Sequence, residues 1–309
     1  MAAKRPATIR AGLAAATERP LAQLAASLPK TAGPAPFEPI HDARVALRRL
    51  AALLRAAAPY LPAARAAALK REIRWLRRAL GPARDLDVFI HETMPALHAL
   101  FRHEAGLAAL LETARQRRRR VAAQLAKVAP SPRARRLVAL LRAAVPAKGA
   151  RPRRAAQAAG LPPSPDAPFG AFVAAVLRRR WKKIARVRRL TKLPMPQLHA
   201  LRIRLRNFRY LCDGFATALP ERRYAAFRRA MTALQDHLGA LNDASVAPPL
   251  AAALAREAAL GHDRAAVARA AGLFAGWGAA RREVFHDALD EPWQRMVKRG
   301  ERMFAALKD

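Results

Sequence analysis

Apolar positions along this chain recur every three to four residues almost throughout, and the two-residue alternation of a half-buried strand is nearly absent. The spacing predicts helices over 6–28, 38–58, 62–80, 85–101, 104–128 and 132–145. It predicts more over 168–191, 196–218, 221–239, 243–256, 263–289 and 291–307. Between the two sets, Ala147 to Pro168 carries Gly149, Pro152, Gly160, Pro162, Pro163, Pro165 and Pro168, residues that end helices rather than continue them. The expected fold is all-α: a first bundle over 1–150, a linker over 151–167 and a second bundle over 168–309.

The two sets repeat one another. His41-Asp-Ala-Arg44-Val-Ala-Leu-Arg48 aligns with His199-Ala-Leu-Arg202-Ile-Arg-Leu-Arg206 at an offset of 158. The same offset carries Leu61-Pro62 onto Leu219-Pro220, Lys70-Arg71 onto Arg228-Arg229, Leu80-Gly81 onto Leu238-Gly239, Asp85 onto Asp243 and Val88 onto Val246. A gapless match of that length predicts a duplicated helical unit, two bundles related by a pseudo-twofold.

The polar side of these helices is cationic. On the helix that begins near His41, the histidine shares a stripe with Arg44, Arg48 and Arg55, opposite Leu47, Leu50 and Leu54. In the second half His199, Arg202, Arg206 and Arg209 form the matching stripe, opposite Leu201, Leu205, Phe208 and Cys212. Lys70, Arg71, Arg74, Arg77 and Arg78 crowd one arc of the next helix, and Arg178, Lys182, Arg186 and Arg189 another, with Lys183 at its edge. Like charges three and four residues apart destabilise a bare helix, so an external anion is expected to face them. The pattern predicts apolar backs packed together and basic faces turned to a shared groove. Leu80-Gly81 reads as a helix stop with Gly81 left-handed, and Asp85 as the N-cap of the next helix. Leu238-Gly239 and Asp243 repeat that reading, with orientation of a nearby His or Arg as the acids' alternative role. The runs Arg117–Arg120 and Arg151–Arg154 read as solvated surface.

Composition sharpens this. Lys and Arg number 58 against 22 acids, a formal net charge of +36, and 48 of the 58 are Arg. Self-repulsion on that scale calls for a polyanionic partner, and the guanidinium fork grips phosphate oxygens in pairs. Cys212 stands alone, which excludes a disulfide framework and a Cys-based zinc site. No apolar run has the length of a membrane span, and Thr17, Glu18, Arg19 and Pro20 interrupt the N-terminal Ala/Leu stretch, so a cytoplasmic protein is expected.

His-x-x-Arg-x-x-x-Arg followed by Leu-Gly-x-x-Arg/Asn-Asp, both duplicated, resembles the CHAD family, the conserved-histidine alpha-helical domains. The best-matching stretches are His41–Arg49, Trp75–Val88, His199–Tyr210 and Leu234–Val246. The resemblance implies two helical bundles around a basic central cleft, binding of inorganic polyphosphate and association with polyphosphate granules. It carries the motif roles onto His41, Arg44, Arg48, His199, Arg202 and Arg206, with Lys70, Arg74 and Arg228 lining the same cleft. Arg78, Arg178, Lys182, Lys183 and Arg209 join them from the stripes above. Ala200 stands where the first half has Asp42, so the halves need not contribute equally.

No catalytic residue, cofactor or metal is expected. The basic faces carry few aromatics or amides, so a reader of nucleic-acid bases fits less well than a binder of bare phosphate. Salt-sensitive, non-specific binding to RNA or DNA backbones is the first alternative. A metal phosphohydrolase built on His41-Asp42, His262-Asp263 or His286-Asp287 is the second, and Arg44 and Arg48 beside His41 weigh against it by repelling a divalent cation.

Overall fold

A computed structural model describes residues 6–33, 37–150, 154, 160–258, 261 and 263–307. The helices are α1 (Ile9–Ser27), α2 (Phe37–Ala57), α3 (Ala63–Ala79), α4 (Gly81–Val88), α5 (Met94–Leu100), α6 (Ala105–Val128) and α7 (Pro132–Arg142). They continue as α8 (Phe169–Ala185), α9 (Met195–Gly214), α10 (Glu221–Ala258), α11 (Arg264–Asp287) and α12 (Asp290–Ala305). Among the described residues there is no strand, only one bridge between Thr8 and Pro168. Side-chain caps start several helices. Thr8 accepts from the Ala11 N–H, Ser131 from Ala134 ahead of Pro132, and Asp263 from Ala265 and Ala266. No described helix is long and apolar enough to cross a membrane.

The apolar stripes meet in two cores. The larger joins Leu47, Leu50 and Leu76 of the first half to Leu177, Leu205, Phe208 and Leu234 of the second. Within it Trp181 stacks on Phe208 and Phe304 and meets Phe227 edge-on, and a second aromatic group joins Tyr60, Phe169, Phe172 and Phe215. The smaller core packs Leu86, Phe89, Leu97 and Leu110 against Leu254, Val267 and Phe274. Helix α2 lies against α9, and α10 against α11, α12 and α6. The α2–α9 contact brings the two His-Arg stripes side by side.

Of the helix stops read at Gly81 and Gly239, the first is a break between α3 and α4 made without a left-handed glycine, and the second is not a stop. Positive φ among the described residues occurs only at Gly149 and Gly160. Gly81 opens α4 directly after Leu80, whose own backbone is right-handed helical, so the chain turns a corner without a left-handed residue. Gly239 lies inside α10, which runs through both predicted segments and beyond to Ala258. Asp85 and Asp243 are therefore interior helical residues and not N-caps. The physical reason is packing. Leu234, Leu238, Leu241, Ala244 and Ala247 are all buried at unbroken helical spacing, which outweighs the ~1 kcal/mol a glycine costs a helix. Pro248 removes the donor that Ala244 would use, and Arg282 supplies one at 3.4 Å.

The predicted helix over 85–101 is also divided. Phe89–Thr93 forms a π-helical turn between α4 and α5. The extra residue keeps Phe89, Ile90 and Thr93 buried while setting Glu92 at the edge of the cleft described next.

Candidate polyanion cleft

Helices α2, α4, α9 and α10, with the π-helical turn, enclose a cleft of about 330 Å³. Six of the predicted residues line it: His41, Arg44 and Arg48 from α2, and Arg202, Arg206 and Arg209 from α9. Each cationic stripe faces the other because the leucines behind it are in the core. Arg84, Asp85, Glu92, Tyr210, Gln235, Asp236, Asn242 and Asp243 complete most of the wall.

The guanidiniums are crowded and half-buried. Burial and the neighbouring charges of Arg48, Arg77 and Arg84 push Arg44 down to about 10, although Asp85 pulls the other way. Arg206 falls to about 10 through burial and then Arg48 and Arg202. Arg202 is lowered by burial and Arg48, opposed by Asp243, so each half sets one acid against the first arginine of its motif. Burial raises both acids, Asp85 and Asp243, against the pull of those arginines. His41 is lowered by burial, Arg84 and Arg48, and is neutral at neutral pH.

Many donors in this wall have no acceptor. Arg44 Nη1 reaches only the Arg77 carbonyl at 3.5 Å, and Arg84 Nη2 donates to Glu92 at 3.0 Å. Arg44 Nε, Arg48 Nε, Arg206 Nε, Arg209 Nε, Arg84 Nη1 and Gln235 Nε2 are buried without a protein partner. Buried polar groups are ordinarily paired, so a concentration of unpaired donors is a signature of a ligand surface. Packing holds the fan in place: Arg84 lies over the Phe37 ring at 5.0 Å and Arg209 over Tyr210 at 5.7 Å. Tyr210, read from helical phase as lying near the basic stripe, is buried with its ring forming part of the wall.

The remaining predicted residues lie elsewhere. His199 borders the cleft without lining it, its Nδ1 3.2 Å from Asn242 Oδ1, while Asn242 Nδ2 donates to Asp243. It lines two flanking hollows, one with Leu198, Leu238 and Leu241 and one that shares Asp85, Val88, Arg202, Asn242 and Asp243 with the cleft. Lys70 and Arg74 line a separate groove between α2 and α3. Arg78, Lys182 and Lys183 are exposed outside the cleft lining, and Arg178 donates to the Leu307 carbonyl at the C-terminal end. Arg228 pairs with Asp213 at 2.9 Å. Of the His-Asp pairs, Asp42 accepts from Gln23, and His262 lies outside the described residues, as do Arg151 and Arg153.

Sequence reasoning quoted Arg84 within the Leu-Gly-x-x-Arg/Asn-Asp motif without assigning it to the cleft, and passed over Glu92, Gln235 and Asp236. A signal existed for two of them, since Gln235 and Asp236 stand at the repeat offset from Arg77 and Arg78. Glu92 had none, because only the π-helical turn brings it to the cleft.

A family model, the CHAD domain, matches residues 15–252. Among solved structures, the CHAD domain from the plant Ricinus communis superposes with a TM-score of 0.73 at 23% identity, over 100% of this chain and 95% of that one. PptA from Streptomyces chartreusis superposes with a TM-score of 0.65 at 20% identity, over 93% of this chain and 99% of that one. At those identities the likeness shows the fold alone. No curated protein matches the chain in sequence.

Proposed function

The chain belongs to the CHAD domain family, and from that premise we propose that it binds inorganic polyphosphate in the α2–α4–α9–α10 cleft without turning it over. The observation that carries this reading is the set of buried donors with no acceptor, drawn from Arg44, Arg48, Arg84, Arg206, Arg209 and Gln235. A linear polyphosphate offers oxygens on every unit and a charge to match the fan, so each donor gains an acceptor and each guanidinium a counter-charge. A nucleic acid offers phosphates too, but spaces them apart with sugars and bases, for which the wall offers Tyr210, Gln235 and Asn242 against its six arginines, and leaves the guanidiniums fewer oxygens each.

The electrostatics support binding rather than hydrolysis. A hydrolase would need a nucleophile held beside a base, or a divalent cation, and the arginines around His41 repel a cation there. Counterion release drives association, and longer chains gain contacts until the cleft is filled. In a cell such a protein is drawn to polyphosphate granules, which colocalisation of a fluorescent fusion with stained granules tests.

The deciding experiment is competition in moderately high salt. Complex formed with labelled polyphosphate is challenged with RNA, duplex DNA, heparin and orthophosphate, beside the variant Arg44→Ala/Arg202→Ala. Polyphosphate alone is expected to compete well, the variant to bind at least tenfold more weakly, and no orthophosphate to be released. Equal competition by RNA or DNA per charge, with normal binding by the variant, would overturn the reading.

A further inference from the structure

A groove of about 620 Å³ opens between α2 and α3, distinct from the cleft. Its floor is aliphatic: Ala51, Leu54, Leu61, Leu69 and Ile73, with Ala58, Ala63, Ala66 and Ala67 along the sides. Its polar groups are all cations: Arg55, Lys70, Arg74 and Arg77. The size and mostly apolar lining are those of a small-molecule site.

The second half shows what fills the matching space. The repeat offset carries Ala66 onto Tyr224, Arg55 onto Asp213 and Lys70 onto Arg228. There the Tyr224 ring is buried, its hydroxyl donates to Asp213 Oδ1 at 2.5 Å, and Arg228 Nε donates to the same oxygen at 2.9 Å. One half thus supplies an apolar body, a carboxylate and a cation from its own side chains. The other keeps the cation, adds a second at Arg55 and has alanine where the ring would be. Arg55 and Arg77 are exposed, and partial desolvation and then the charge of Arg77 lower Arg55, so the two cations sit close enough to repel one another beside the groove.

We propose that the α2–α3 groove binds an amphiphilic anion, a free aliphatic chain ending in a carboxylate or phosphate. The chain takes the place of the Tyr224 ring and the head group that of the Asp213 carboxylate, between Arg55 and Lys70. Bare polyphosphate gains nothing from the aliphatic floor, and a nucleobase finds no aromatic or amide side chain in the lining. An aliphatic anion satisfies floor and rim together. This site is independent of the polyphosphate reading.

The test is calorimetric titration of the full chain with decanoate below its micelle concentration. One saturable site per chain is expected, at least tenfold tighter than for acetate or for neutral decyl glucoside. Arg55→Asp/Ala66→Tyr, which rebuilds the second-half arrangement, is expected to weaken decanoate at least tenfold while melting no lower than wild type. Ala67→Phe fills the groove without altering charge, and is expected to lose decanoate and keep polyphosphate binding. Unchanged decanoate binding in both variants, or acetate binding as well as decanoate, would overturn the proposal. So would attachment to phosphatidylglycerol vesicles without binding of monomeric decanoate.

Discussion

His41 and the two acids opposed to Arg44 and Arg202 set how the cleft responds to protons. In the free protein the imidazole is held low by burial and by Arg84 and Arg48, and a bound polyanion raises it by attraction. Binding therefore takes up a proton. Affinity is expected to rise as pH falls through the bound-state value and to level off below the free-state value, at fixed ionic strength. Dissociation constants measured from mildly alkaline to mildly acidic pH check this, and His41→Gln is expected to flatten the curve. The acids act in the same direction, because protonating them also removes negative charge from the cleft. Asp85→Asn/Asp243→Asn removes two carboxylates that compete with the ligand for Arg44 and Arg202, and is expected to tighten polyphosphate binding by roughly tenfold. Because burial holds both carboxylates above their usual range, neutralising them is expected to leave stability unchanged or slightly higher at neutral pH by chemical denaturation.

At the scale of the element, α10 is the decisive piece, since its length places Gln235, Asp236, Asn242 and Asp243 on one cleft wall. Its continuity is testable at Gly239, where an added Cβ meets nothing within 4 Å. Gly239→Ala is expected to raise stability by about 0.5–1 kcal/mol, the ordinary gain for a glycine inside a helix. A loss there would restore the left-handed stop. Gly106 is the contrasting case, because a Cβ on it would lie 2.1 Å from the Ala266 carbonyl oxygen where α6 crosses α11. Gly106→Ala is expected to cost about 1–3 kcal/mol as the two helices are forced apart, read in the same denaturation experiment.

The whole molecule carries a formal +36, far more than the cleft can hold. Repulsion among exposed cations opposes folding, so the melting temperature is expected to rise with ionic strength, and further with polyphosphate at matched ionic strength. Affinity should move the other way. Six or so phosphate contacts imply a loss on the order of 10³-fold between about 50 and 200 mM salt. A titration at several salt concentrations separates the two effects.

The all-α class, most of the helices and the two His-Arg stripes were legible in the sequence, because helical period and charge are local properties that survive into any packing. Arg44, Arg48, Arg202, Arg206 and Arg209 could be placed on one surface because an amphipathic helix has only one apolar side to bury. Where rules of local propensity competed with packing, they lost: Gly239 resembles a stop, but a buried leucine stripe ran on past it. What the remaining cations face was also beyond local reading. Lys70 and Arg74 share a sequence pattern with the cleft arginines, yet the path of α3 turns them to another groove, and His199 pairs with Asn242 at the border of the cleft. The sequence by itself determined which helices form and which of their sides are basic, since both follow from the identity and spacing of neighbouring residues. Only the tertiary structure decided which basic sides meet, because that depends on how distant helices cross.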